Sequence, residues 1–129
     1  MALENLLFTK EHEWLRMDGD SADVGITEYA QHELGDVVYV ELPALGREFK
    51  KGDPAANIES VKAVSDVFSP LSGTITAVNA KLSNNPELVN QEPYGDGFLF
   101  KMKLSHMDEI KELLDQKKYE EYLQGISGE

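Results

Sequence analysis

Through the first hundred positions the apolar residues fall in short runs, each broken by glycine, proline or a charged turn, a punctuation that predicts strands rather than long helices. "HEWLRM" and "ADVGI" flank Asp18-Gly19-Asp20, which supplies the turn chemistry of a hairpin. "DVVYVEL", "AANIESV", "VSDVF", "GTITAV" and "GFLFKMK" follow, rich in β-branched and aromatic residues. One segment departs from this pattern. "TEYAQHEL" sets Ala30 and Leu34 four apart, with Thr27 as N-cap, Glu28 near the positive helix end and Gly35 as the stop, so a short helix is expected there. The whole predicts a mainly β protein, a small sandwich or barrel. Pro43-Ala44-Leu45-Gly46 and Pro70-Leu71-Ser72-Gly73 each follow an apolar strand, twenty-seven residues apart, a thin hint of a duplicated half-barrel.

The tail changes period. Ser105 with Asp108 has the spacing of a capping box, and Met107, Ile110, Leu113 and Leu114 make one apolar helical face. A second helix is expected after Asp115, with Tyr119, Tyr122 and Leu123 as its apolar stripe and Gly125 as its end. Both are expected to pack on the sheet, giving a helical segment over about 105–125 of a single domain spanning 1–129.

Composition narrows the function classes. Twenty-four acidic residues against twelve basic ones give a net charge of −12, which repels nucleic acid and anionic membrane surfaces and leaves proteins or small molecules as partners. There is no cysteine, so thiolate metal sites and a protein thiol nucleophile are excluded. Sulfur chemistry would have to arrive with a cofactor. The opening "MALENLLFTKEHEW" has neither a basic secretory n-region nor an arginine-rich transit pattern. The expectation is a cytoplasmic, monomeric protein, a trimmed mitochondrial one being less favoured.

Candidate chemistry is sparse. His12, His32 and His106 stand at no metal-like spacing, and G-x-S-x-G, Walker and G-x-G-x-x-G motifs are missing, so no metal site and no self-sufficient catalytic constellation is expected. The pairs Glu11/Glu13 and Glu120/Glu121 read as solvated surface in so acidic a chain. Trp14, the one tryptophan, reads as a core anchor. Lys62 is different: "AANIESV" and "VSDVF" alternate like two strands and leave Val61-Lys62-Ala63 at the reversal, so the tip of a tight hairpin would hold a flexible, acylatable amine clear of the body. Spacing alone does not separate this from an ordinary surface lysine.

"TKEHEWLR", "VGITEYAQHELGDVVYVELPALG", "IESVKAVSDVFSPLSGTITAVN" and "NPELVNQEPYGDGFLFKMK", in that order and followed by acidic helical segments, resemble the glycine cleavage H-protein family nearly end to end. The resemblance implies a flattened β-barrel/sandwich of the lipoyl/biotinyl-carrier (barrel-sandwich hybrid) type with a short internal helix and C-terminal helices. It implies lipoate in amide linkage on Lys62, flanked by Glu59, Ser60, Val61 and Ala63 in the lipoyl hairpin. A biotin carrier would show methionines beside its lysine, where this chain has Val61 and Ala63.

A non-catalytic carrier is implied. Its arm would take an aminomethyl group from a pyridoxal-phosphate glycine decarboxylase to a tetrahydrofolate-dependent aminomethyltransferase, with reoxidation by dihydrolipoamide dehydrogenase and attachment by a lipoate ligase or lipoyltransferase. Lysine plus octanoyl chain reaches on the order of 10–15 Å. The loaded arm is expected to fold back into a cleft that shields it from water, with Glu13 placed to pair with its amine. Glu33 and His32 are further cleft candidates; some relatives carry histidine directly before the Leu-Gly of that helix, where this chain has Glu33. The alternative is a relay that donates lipoate from Lys62 to other lipoyl-dependent complexes.

Overall fold

The computed structural model describes residues 5–127. Among the described residues nine strands form two antiparallel sheets. In the larger, the order is β1 (Leu6–Phe8), β2 (Glu13–Asp18), β3 (Ser21–Ile26), β9 (Phe100–Leu104), β8 (Gly73–Val78) and β5 (Glu48–Phe49). The smaller sheet orders β4 (Val37–Glu41), β6 (Pro54–Ser60) and β7 (Val64–Phe68). This is the mainly β sandwich expected, as two sheets rather than one closed barrel. The two Pro-x-x-Gly segments lead into β5 and β8, which pair with each other, Glu48 opposite Thr74.

Alternation along the strands builds the core. Val24, Ile58, Ile75, Phe100 and Met102 are almost wholly buried in one cluster between the sheets, each large side chain contributing about 1.5–3 kcal/mol. Strand β2 is covered on both faces. Leu15 enters this main core, whereas Trp14, its neighbour, joins Leu6, Phe8 and Tyr119 in a second cluster. The Trp14 indole N–H donates to the Pro93 carbonyl at 2.8 Å, so its one polar atom is satisfied in the interior. Opposite it across the strands stands Gly25, where a Cβ would meet the indole ring at 2.7 Å.

Helix α1 (Glu28–Leu34) forms as expected, with the Thr27 hydroxyl accepting from the Ala30 N–H at 3.2 Å and Gly35 closing its end. A four-residue helix, α2 (Leu88–Gln91), had no clear signal in the sequence. The tail corrects several expectations. Residues Met107–Glu112 form a 3-10 helix, and the capping box is absent because the Ser105 hydroxyl engages the His106 imidazole instead, at 3.0 Å. Glu109 fixes that segment by accepting from the Ser72 N–H at 2.7 Å and hydroxyl at 2.9 Å. Met107 is 43 % exposed, so it lies off the apolar face assigned to it. Helix α3 (Gln116–Ser127) starts at Asp115, whose carboxylate accepts from the Lys118 N–H at 2.8 Å, but it runs through Gly125. A reciprocal pair of backbone bonds between Phe8 and Leu114, 2.7 and 2.8 Å, ties the tail to β1. Among the described residues no helix is long and apolar enough to cross a membrane.

Candidate functional site: a lysine tip and a carboxylate cleft

Pairing of β6 with β7 ends at Glu59 opposite Val64, leaving Ser60 to Ala63 as the reversal. The Ser60 hydroxyl oxygen accepts from the backbone N–H of both Lys62 and Ala63 at 3.1 Å, and the Ser60 N–H donates to the Ala63 carbonyl at 2.8 Å. A serine at this position thus does locally what a longer loop would need more residues to do. The Val61 N–H donates to the Asp36 carbonyl at 3.0 Å, fastening the tip to the residue pair that follows α1. Glu59, Val61, Lys62 and Ala63 are all exposed.

The lysine stem lies over Gly35. A Cβ built there would stand 3.2 Å from Lys62 Cε, and the backbone is at φ 79°, ψ −160°, a conformation available in practice to glycine alone. Gly35 therefore ends the helix and clears a path for the side chain at once. That path leads to the preceding residues, Glu33 and Leu34, which line a cleft of about 290 Å³.

The cleft is acidic over an apolar floor. Glu11, Glu13, Glu33 and Asp66 line it with Ile26, Ile58, Val67 and Phe68, and no lysine or arginine is among its described lining residues. Glu13 corrects the surface reading of the Glu11/Glu13 pair: Glu11 is exposed, but Glu13 is only 3 % exposed. Its position on β2 shares the inward face with Leu15, which is why it is buried. One carboxylate oxygen accepts from the Thr9 hydroxyl at 2.7 Å and the other from the Phe68 N–H at 3.2 Å. Burial raises its pKa from 4.5 to about 7, against the two donors and with some help from Glu11. A cation entering the cleft would find there a carboxyl ready to ionise.

The structure brings Glu13 and Glu33 together and leaves His32 out. His32 lines a separate groove between α1 and α3, with Tyr94, Tyr119 and Leu123. The imidazole that does line the cleft is His12, joined by Asp66 and Tyr29. None of these three carried a sequence signal beyond a missing metal spacing, although period-two counting along β7 sets Asp66 on the strand face of Phe68. His12 sits at φ 71°, the one non-glycine residue with positive φ among those described, and its Nδ1 is 2.8 Å from the Tyr119 hydroxyl.

Comparison with known proteins agrees with this architecture. The family model described as glycine cleavage H-protein matches residues 6–126. The glycine cleavage system H protein of Halothermothrix orenii is 51 % identical over 95 % of this chain and 96 % of its own length. That of Thermotoga maritima is 55 % identical over 89 % and 93 %. The crystal structure of a glycine cleavage system H protein from Mycobacterium marinum superposes with a TM-score of 0.80 at 32 % identity, covering 98 % of both chains. With a family match spanning nearly the whole chain and relatives at half identity over most of their length, the chain belongs to the glycine cleavage H-protein family.

Proposed function

We propose that this protein is the lipoyl carrier of a glycine cleavage system, with Lys62 as the attachment point and the acidic cleft as the resting place of the loaded arm. The observation that carries the reading is the continuity of the two: an exposed amine on a pinned turn, whose stem runs over Gly35 toward a cleft with an apolar floor and carboxylates. That combination fits lipoate. The floor matches a hydrocarbon chain, and the carboxylates match an ammonium group carried at its end. Bound in amide linkage, lipoate supplies a disulfide that is reduced as it accepts the aminomethyl group derived from glycine.

The chain's own residues do the rest. Lys62 offers Nζ at the hairpin tip, and Ser60 holds the backbone there in one geometry for the attaching enzyme. Glu13 is the acceptor assigned to the cargo's ammonium: burial raises its pKa to about 7, so it changes protonation near neutral pH, and an arriving cation favours its ionised form. Burial of Glu13 among Ile26, Ile58 and Phe68 keeps water from the bound group. The family named by the comparisons is that of glycine cleavage, which supports carriage over the lipoate-relay alternative.

Glycine decarboxylase, aminomethyltransferase, dihydrolipoamide dehydrogenase and a lipoate ligase or lipoyltransferase are the partners that this reading requires, and the cytoplasm of a bacterium is its setting. Intact mass of the protein before and after treatment with a lipoate ligase tests it. The parent should gain one lipoyl increment, and Lys62→Arg should gain none while unfolding within about 0.5 kcal/mol of the parent. A lipoyl group found on Lys50, Lys51 or Lys81 would overturn the assignment.

A further inference from the structure

His12 is built into a chain of hydrogen bonds that carriage as described above does not use. Thr27, fully buried, is the N-cap of α1, and its hydroxyl oxygen accepts from the Ala30 N–H at 3.2 Å. The same oxygen stands 2.8 Å from the Tyr119 hydroxyl, which in turn stands 2.8 Å from His12 Nδ1. A second link is direct, since the Thr27 N–H donates to the His12 carbonyl at 3.0 Å. Each proton on this chain has one consistent place. The Thr27 hydroxyl is fully buried, and among the described residues Tyr119 Oη is the acceptor within hydrogen-bond reach of its proton, so that proton goes to Tyr119 Oη; the phenol proton then goes to His12 Nδ1, and the neutral imidazole carries its own proton on Nε2.

We propose that Tyr119 is a positioning residue for the arm cleft: by donating to His12 Nδ1 it holds that imidazole neutral, so that the cleft keeps its carboxylates for a cationic cargo.

The surroundings say why such a device is needed. Carboxylates face His12 from the turn before β2 (Glu11), from β2 (Glu13), from α1 (Glu33) and from β7 (Asp66). Left alone, an imidazole among these acidic groups would be drawn by Glu11 and Glu33 toward its charged form and become an internal counterion, competing with the cargo. The other neighbours are aromatic: Tyr29 at 4.6 Å, Tyr119 at 5.8 Å and Tyr122 at 6.1 Å between ring centroids. The nearby cation, Lys10, lies over the Tyr122 ring at 5.8 Å. Burial lowers the His12 pKa although Glu11 and Glu33 pull it upward.

An Nδ1–H would compete with the phenol proton for the same line, so that either the Tyr119 or the Thr27 proton would lose its acceptor, a cost that falls on the imidazolium and on the Nδ1–H tautomer and spares the neutral Nε2–H form. Tyr119 is suited to the donor role, because burial pushes its own pKa to about 12, so it stays protonated. Its ring is stacked on Phe8 at 4.7 Å, which fixes the place of the hydroxyl oxygen. The charge of the cleft is therefore set from α3, a helix that contributes no lining residue to it.

The proposal rests on the carrier reading for its purpose but not for its test. On the protein without lipoate, nitrogen chemical shifts of His12 report its tautomer and titration. The parent should show the proton on Nε2 and a midpoint below the ordinary histidine value. Tyr119→Phe, which keeps the stack on Phe8, should move that midpoint up by about one unit. A proton on Nδ1 in the parent, or an unmoved midpoint in the variant, overturns the proposal. The parent spectrum decides alone should the variant fail to fold. On lipoylated protein loaded from glycine, ammonia release from Tyr119→Phe should be several-fold faster than from the parent at pH values between the two midpoints and equal well above and well below them. A difference independent of pH would mean a merely structural role for the hydroxyl. If the protein cannot be loaded at all, it is the carrier reading that fails, with the nitrogen shifts still deciding the hydrogen-bond chain.

Discussion

The lysine tip and the carboxylate cleft are neighbours made in opposite ways. At the tip, the bonds that shape the turn span two and three residues, from Ser60 to Lys62 and to Ala63, and all the groups are within reach of water. In the cleft, Glu13 is held by Phe68 across fifty-five residues of chain and His12 by Tyr119 across one hundred and seven. A group that enzymes must find and modify has to stand out in solvent, where hydrogen bonds are weak and replaceable. A group that must bind charge away from water needs walls from several elements, and its protonation then depends on the whole fold. The tip should accordingly tolerate substitution with little thermodynamic cost, while the cleft should announce itself in the pH dependence of stability.

Glu13→Gln tests that contrast at its strongest. A carboxyl whose folded pKa lies above its unfolded value binds more protons in the native state, so its favourable contribution is complete below pH 4.5 and is lost as pH rises through about 7. Two and a half units at about 1.4 kcal/mol each amount to roughly 3 kcal/mol. Urea unfolding should therefore place Glu13→Gln level with the parent near pH 4 and on the order of 3 kcal/mol more stable by pH 8. Parallel stability curves across that range would mean that Glu13 is not the buried, readily protonated group described here.

Between tip and cleft lies Gly35, and Gly35→Ala probes the junction. The φ 79°, ψ −160° backbone costs a side-chain-bearing residue about 1–3 kcal/mol, and the new methyl meets Lys62 Cε at 3.2 Å, a flexible stem that can move aside. Stability should fall by that amount at every pH, unlike the effect at Glu13. Loss of less than about 0.5 kcal/mol would show that the turn after α1 adjusts freely and that glycine is not needed for the path.

The residues that sequence patterning placed well are those whose partners lie close by in the chain. Thr27, Gly35 and the Ser60 turn act on neighbours, so capping and strand alternation were enough to find α1 and the hairpin. Glu13 was misread because its strand is covered on both faces: with Trp14 buried on one side, the polar-out rule has no side left to assign. His12 stands at no metal-like spacing and so carries no pattern of its own, and its partner Tyr119 fits the apolar stripe of α3, which it also joins. The capping box failed because Ser105 and Asp108 have the right spacing but the Ser105 hydroxyl is taken by the His106 imidazole, while the segment is held by Glu109 bonding to Ser72 of another element. Strands β1 and β5, three and two residues long, are too short for any period to show.

Ser60→Ala is the gentlest way to sharpen the same contrast. The hydroxyl oxygen accepts two backbone donors at 3.1 Å, and in a buried place their loss would cost about 1–3 kcal/mol. Here water reaches both N–H groups, so the global change should be no more than about 0.5 kcal/mol. What should change is the order of the turn itself. Hydrogen exchange at the Lys62 and Ala63 amides should quicken several-fold while exchange at Phe68, inside β7 and bonded to Glu13, stays as it was. Acylation should slow, through a higher KM of the ligase for the protein, because the enzyme must now order the tip that Ser60 had ordered beforehand. Unchanged exchange at both amides would assign the turn's geometry to the Val61 bond with Asp36 instead, and the tip would then depend on α1 just as the cleft does.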